Sequence, residues 1–363
     1  MTENKTHRHG GTPHYDFARL ELPEMPILDF SVNLNPMGPP EIIPEIWPDV
    51  IEAIENYPTL EGEGIIRYFQ MKYGIPRENL LAGNGSTEII YLLPRALGLK
   101  HVLVVSPSYN DYFRASLMSG AQVDRYQLTP QTLFSSLNVD EVANLLRNAD
   151  ALWLGNPNNP TGSLFDKETI MMLVDRCPEQ WFIIDEAFMP FVEDNQNYSF
   201  MESHSKSNVV VIQSLTKFYA LAGIRLGGVI AHSDVITRLK RFKEPWTVNG
   251  PAEKLALYLL DTEDYAEKTR HLVKKERNGL IHCLKSIPGI EPYPSGSNFI
   301  LCQWKRSENL DDLMRHLLSH GIYIRDCRNF PGLEDNYFRL AVRTPADNTK
   351  LISVMTSLPD MYK

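Results

Sequence analysis

Ser214-Leu-Thr-Lys-Phe-Tyr-Ala-Leu-Ala-Gly-Ile-Arg225-Leu-Gly227 sets Lys217 and Arg225 eight residues apart, with hydroxyls at Ser214 and Thr216 and glycines at Gly223 and Gly227. A lysine flanked by phosphate-binding groups suits an aldehyde cofactor that carries a phosphate handle. The amine forms a Schiff base, and the hydroxyls and guanidinium hold the phosphate. Taken alone, the stretch reads equally well as a basic loop at the end of a strand. Its neighbours along the chain decide between the two.

Upstream and downstream of Lys217 lie short apolar runs, His101 to Val105, Ala151 to Leu154, Trp181 to Ile184, Val209 to Ile212 and Gly228 to Ala231. Runs of this length suit strands covered on both faces, as in a largely parallel α/β sheet. Turn-forming strings follow several of them: Ser106-Pro-Ser-Tyr109, Gly155-Asn-Pro-Asn-Asn-Pro-Thr-Gly162 and Asp185-Glu-Ala-Phe188. Ligand sites in open α/β sheets gather beyond the carboxyl ends of strands. The polar residues with chemical potential fall at those ends.

After Trp246 the texture changes. One long charged helix is expected from about Pro251 to Leu284. Strand-like Asn298 to Gln303, an amphipathic helix from Leu310 to Ser319, and strands at Ile322 to Arg325 and Tyr337 to Arg343 follow. The pattern predicts an N-terminal arm over residues 1–45 that packs on a small domain and reaches the site. A large domain spans residues 46–248, and a smaller α+β domain spans 249–363. A chain of 363 residues has room for two cores.

Composition narrows the function classes. A net charge of -9 argues against a general nucleic-acid partner, which needs a basic surface. It leaves room for a local arginine cluster that binds a small phosphorylated substrate. Cys177, Cys283, Cys302 and Cys327 lack the spacing of a zinc site and read as reduced thiols. No apolar run is long enough to span a bilayer, and no signal peptide is visible at Met1. The expectation is a cytoplasmic protein with no membrane partner and no metal; His7, His9 and His14 lack metal-ligand spacing.

Each candidate carries a plain reading beside the chemical one. Asp185 ends an apolar run, where a carboxylate opposite a pyridinium nitrogen would keep a cofactor ring protonated; a lone aspartate there also reads as a helix N-cap. Asn159 can hydrogen-bond a phenolic oxygen, or simply belong to a turn. Gly83-Asn-Gly-Ser-Thr-Glu88 opens a helix over Ile89 to Leu97, so Gly85, Ser86 and Thr87 either meet an anion or cap the helix. Tyr109 stacks on a cofactor ring or fills the core. Arg325, Arg339 and Arg343 suit carboxylate and phosphate recognition, although arginines on strands also sit at surfaces.

Taken in order, Asn-Pro-Asn-Asn-Pro-Thr-Gly, Asp-Glu-Ala-Phe and Ser-Leu-Thr-Lys-Phe-Tyr-Ala with Gly-Ile-Arg-Leu-Gly resemble fold-type I pyridoxal-phosphate enzymes. The histidinol-phosphate aminotransferase-like branch is the nearest match, and the likeness covers nearly the whole chain. His9-Gly-Gly, Asp29-Phe-Ser-Val-Asn-Leu-Asn-Pro36, Pro245-Trp-Thr-Val-Asn249 and Tyr323-Ile-Arg-Asp-Cys-Arg-Asn-Phe-Pro-Gly-Leu333 resemble the group of that branch that decarboxylates L-threonine O-3-phosphate for cobalamin biosynthesis.

The resemblance implies an α/β fold-type I transferase fold with a mostly parallel sheet, and pyridoxal 5'-phosphate as cofactor. It implies that Lys217 is the Schiff-base lysine, Asp185 the partner of the pyridine nitrogen, and Asn159 the contact to the phenolic oxygen. Tyr109 would stack on the ring, with Gly85, Ser86, Thr87, Ser214, Thr216 and Arg225 around the phosphate. Tyr57 would reach the site of the neighbouring subunit in a homodimer. Arg339 would take the substrate carboxylate, and Arg325, Arg343 and His9 are candidates for its phosphate; Asn33 and Asn298 would line the site. Phe188 stands where aminotransferases of the family carry a tyrosine, which favours the decarboxylase group.

Three competing activities are separable. L-Serine O-phosphate differs from the threonine ester by one methyl, which an apolar pocket discriminates by only about 1–3 kcal/mol. A histidinol-phosphate or aromatic aminotransferase would use the same cofactor contacts. A non-catalytic sensor fused to a DNA-binding module would need a helix-turn-helix or basic extension, and the chain has no spare segment for one.

Overall fold

The computed structural model describes residues 10–306, 309–334 and 336–358. A seven-stranded sheet forms its larger part, in the order Leu80–Asn84, Leu226–Ala231, Val209–Ser214, Trp181–Asp185, Ala151–Gly155, His101–Ser106, Gln122–Gln127. The five strands from His101–Ser106 to Val209–Ser214 and Gln122–Gln127 pair in parallel. Leu226–Ala231 runs antiparallel to both of its neighbours. Its start therefore lies at the edge where the others end, and this brings Arg225 beside Ser214 and Gly85.

Helices cover both faces. Trp181–Asp185 and Val209–Ser214 are buried almost throughout, as the unbroken apolar runs require. Two strands lack that signature. Leu80–Asn84 ends in Ala-Gly-Asn, without β-branched residues. Gln122–Gln127 is an edge strand with most side chains exposed, including Asp124 and Arg125; charge on an edge blunts further pairing.

The smaller sheet is antiparallel, in the order Arg325–Asp326, Tyr337–Ala341, Phe299–Trp304, Ile290–Pro292. The N-terminal arm joins this part of the molecule. Leu28–Asp29 pairs in parallel with Ile322–Tyr323, and Phe17, Leu20 and Phe30 share a core with Leu313, Leu317 and Phe338. The core on one face of the large sheet runs on into Phe299, Leu301 and Phe330 of the smaller part.

Two expected elements differ from the structure. The helix expected over Pro251 to Leu284 is two helices, Gly250–Tyr258 and Glu263–Lys285, with a short 3₁₀ turn between them. At the break, buried Thr262 donates through Oγ1 to the Leu259 carbonyl at 2.6 Å, a local bond of the kind that competes with the helical ladder. The strand expected over Ile322 to Arg325 is divided at Ile324 into Ile322–Tyr323 and Arg325–Asp326, which belong to different sheets.

Candidate active site

A cleft of about 190 Å³ opens where the strand ends meet the arm and the smaller sheet. Lys217, Thr216, Arg225, Asn159, Tyr109, Phe188, Asn33, Arg325 and Arg339 line it. A larger cleft of about 290 Å³ behind the Lys217 helix is lined by Tyr68, Lys72 and Glu263, among others, and lacks this convergence.

Lys217 lies on the short helix Leu215–Phe218, directly after the strand that ends at Ser214. Its Nζ donates to Ser214 Oγ at 3.4 Å, and Ser214 Oγ and Thr216 Oγ1 lie 2.8 Å apart. Burial pushes the ammonium below the ordinary lysine value; the Asp185 carboxylate opposes this and Arg225 adds to it. A neutral amine is the form that attacks an aldehyde.

Asp185 closes its strand with only 6% of its surface exposed. Its Oδ2 accepts from Tyr112 O–H at 2.8 Å, and its Oδ1 accepts from the Ala187 N–H at 2.9 Å. Burial raises its pKa against these two donors and the charge of Lys217. Glu186, the next residue, serves the fold: it accepts from Ser199 Oγ, Phe200 N–H and Gln213 Nε2 at 2.7, 2.5 and 2.8 Å. Its burial pushes its pKa up to about 7.

Gly85, Ser86 and Thr87 open the helix Gly85–Leu97, whose N-cap residue Asn84 makes no side-chain cap bond. The first N–H groups of this helix are thus free of a side-chain cap, and the dipole favours an anion there. Gly85 has φ +70°, and a Cβ on it would lie 2.6 Å from Arg225 Nη2. A Cβ on Gly227 would meet the Ser86 nitrogen at 2.6 Å. Glycine is thus required at both positions for the guanidinium to close on the helix end. The helix N-terminus, Ser214, Thr216 and Arg225 lie together and could hold a phosphate, with Lys217 beside Ser214. The residues present fit pyridoxal 5'-phosphate.

Arg325 and Arg339 are Cα partners on adjacent strands, both nearly buried. Arg339 donates to Asn159 Oδ1 through Nη1 and to the Ser31 carbonyl at 2.7 Å through Nη2, and its buried Nε has no partner among the described residues. Burial pushes its pKa down to about 10, and Arg325 adds to the shift. Two guanidiniums lining one cleft suit a substrate with two anionic groups. Asn33 is also buried, and its Oδ1 has no partner among the described residues.

Some expected residues lie elsewhere. Arg343 does not line the cleft: Asp347 holds its Nε at 3.1 Å, the Asp29 carbonyl accepts from Nη1 at 3.0 Å, and its guanidinium lies over Phe30. Asn298 braces the arm from behind, donating to the Asn33 and Leu34 carbonyls at 3.1 and 3.3 Å. Tyr57 is 87% exposed and lies against Trp246, away from the cleft of its own chain. His9 lies outside the described residues. Conversely, Ser31, Val32, Leu34 and Phe330 line the cleft and were not expected, and Tyr112 stands behind Asp185. None of these carried a signal in the sequence: Tyr109 is the N-cap of the helix that bears Tyr112, and Tyr112 meets Asp185 only through the tertiary fold.

The family model for aminotransferase class I and II matches residues 27–355. A protein of Caldanaerobacter subterraneus subsp. tengcongensis is 36% identical over 98% of this chain and 94% of its own length. A threonine-phosphate decarboxylase of Salmonella typhimurium is 31% identical over 96% of each chain. Among solved structures, the histidinol-phosphate aminotransferase of Clostridium acetobutylicum superimposes with a TM-score of 0.85 at 30% identity, covering 91% of this chain and 98% of that one. The L-threonine-O-3-phosphate decarboxylase of Porphyromonas gingivalis does so with a TM-score of 0.80 at 25% identity, covering 90% and 97%.

Proposed function

The chain belongs to the class I and II aminotransferase family, and from that premise we propose that it is a pyridoxal-phosphate-dependent carboxy-lyase. Its substrate is L-threonine O-3-phosphate, and its products are (R)-1-amino-2-propanol O-2-phosphate and CO₂, for cobalamin biosynthesis. The observation that carries this reading is the buried Arg325–Arg339 pair over the cleft of Lys217. The full-length likeness to threonine-phosphate decarboxylase supports it.

When bound, pyridoxal phosphate supplies an aldehyde for the substrate amine and a ring that takes up the electron pair of a broken bond at Cα. Lys217 would hold the cofactor aldehyde through its amine and release it to the substrate amine. Asp185 would hold the protonated ring nitrogen and Asn159 the phenolic oxygen, with Asn159 Oδ1 accepting from Arg339. Arg339 would grip the substrate carboxylate and Arg325 its phosphate, and this two-point hold would select the Cα–carboxylate bond over Cα–H for cleavage. Phe188 lines the cleft, backed edge to face by Phe299 at 4.9 Å, and would give an apolar wall that favours release of neutral CO₂. Lys217 Nζ would supply the proton that Cα takes in place of the carboxylate.

Tyr57, with exposed Ile54, Leu60 and Trp246 around it in sequence or space, is read as reaching the cleft of a second copy in a homodimer. The enzyme is read as cytoplasmic; no helix among the described residues is long and apolar enough to cross a membrane.

The test is CO₂ release from cofactor-loaded protein given L-threonine O-3-phosphate or L-serine O-phosphate, without a keto acid. Release is expected from the threonine ester, with the serine ester slower by about tenfold or more. Conversion of the cofactor to its amine form without CO₂ would sink the reading and favour an aminotransferase, the activity of the Clostridium acetobutylicum protein.

Arg339→Lys gives a second check. Lysine keeps the charge and loses the fork that spans Asn159, Ser31 and a carboxylate. Steady-state kinetics should show kcat/KM lowered about hundredfold. A change below about threefold would remove Arg339 from carboxylate binding.

A further inference from the structure

We infer that Tyr112 is a positioning residue for the reaction: its hydroxyl keeps the Asp185 carboxylate ionised and aimed at the cofactor ring nitrogen. The inference rests on the cofactor reading above. A buried carboxylate that lacks donors prefers to hold a proton of its own. In a pair that shares one proton, that preference takes the proton away from the ring nitrogen. Here each carboxylate oxygen has a donor, Tyr112 O–H for Oδ2 at 2.8 Å and the Ala187 N–H for Oδ1 at 2.9 Å. The backbone donor belongs to any residue at that turn. The tyrosine is a choice of this sequence.

The surroundings fix that hydroxyl in place. Tyr112 lies on the helix Asn110–Met118, buried, with its ring stacked on Trp153 at 5.0 Å and 11°. Its other side meets Tyr109 edge to face at 5.7 Å, and Tyr109 lines the cleft. Gly155 is the Cα partner of Asp185 on the adjacent strand, and a Cβ there would stand 3.3 Å from the Tyr112 hydroxyl oxygen. The neighbouring strand thus leaves room for the hydroxyl at the point where it meets the carboxylate. Burial holds the phenol well above its ordinary pKa, so it stays a donor at every pH at which the enzyme would work.

A merely structural tyrosine and a positioning one predict different results. The experiment uses holoenzyme loaded with pyridoxal phosphate labelled with ¹⁵N at the ring nitrogen, followed by NMR from about pH 6 to about pH 9. Tyr112→Phe removes one oxygen and keeps the stacked ring, so the fold should survive; a melting curve checks this. The ring nitrogen should lose its proton about one pH unit earlier than in the wild type, with kcat about tenfold lower and KM within about threefold. Gly155→Ala, which presses on the hydroxyl without removing it, should move the signal in the same direction by less. An unchanged ring-nitrogen titration and kcat in Tyr112→Phe, with only the melting temperature lowered, would overturn the inference. A wild-type protein that takes up no cofactor would overturn the cofactor reading itself, and this one with it.

Discussion

Lys217→Ala should abolish decarboxylation, lowering kcat by about 10⁴-fold or more, the scale on which an enzyme loses a group that works as part of a unit. The residue has three duties in the proposed mechanism: it holds the cofactor aldehyde, yields it to the substrate, and returns a proton to Cα. Its contribution to the fold is small. Its one side-chain hydrogen bond among the described residues is the 3.4 Å contact to Ser214, and burial of its ammonium is costly. The variant should therefore melt at or above the temperature of the apo wild type. Borohydride reduction of wild-type holoenzyme, followed by peptide mass spectrometry, should place the cofactor on Lys217 and leave the variant unlabelled. A label on another lysine, or retained turnover, would end this assignment.

Asp185→Asn should lower kcat by about 10³-fold, the range seen when a preorganised electrostatic partner is removed. Asparagine preserves the shape and can still accept from the Ala187 N–H, the turn contact that the N-cap reading of this residue requires. It cannot carry the charge that keeps a proton on the ring nitrogen. Cofactor should still bind through the helix end and Arg225, and substrate KM should change little, because Arg325 and Arg339 are untouched. The two readings separate cleanly in steady-state kinetics. If the Asp185→Asn variant sustains wild-type kcat, the carboxylate only caps a turn.

Several parts of the site were legible because their chemistry is local. Lys217, Asp185 and Asn159 each follow an apolar run, so strand period and turn residues place them at one edge of a parallel sheet. The three late arginines show where local reading stops. All three fall on or just past strands, yet Arg343 is drawn away by Asp347, four residues on, and by the Asp29 carbonyl of the distant arm. Arg325 and Arg339 share a cleft because their strands pair in register. Strand pairing and arm docking depend on contacts far apart in sequence, which no single stretch encodes. The same cause hid Tyr112: its partner Asp185 lies 73 residues away.

By itself the sequence determined the α/β class, five strands of the large sheet and the set of groups that suit a phosphate-bearing aldehyde cofactor. Uninterrupted apolar runs and the turn chemistry that follows them are properties of neighbouring residues. Tertiary structure alone decided which side chains converge. The antiparallel turn of Leu226–Ala231 brings Arg225 to the helix end at Gly85. The arm lays Ser31 and Asn33 over the cleft, and the register of two strands sets the guanidiniums side by side. Those placements come from burying separate faces in shared cores, and burial is settled only when the whole chain has packed.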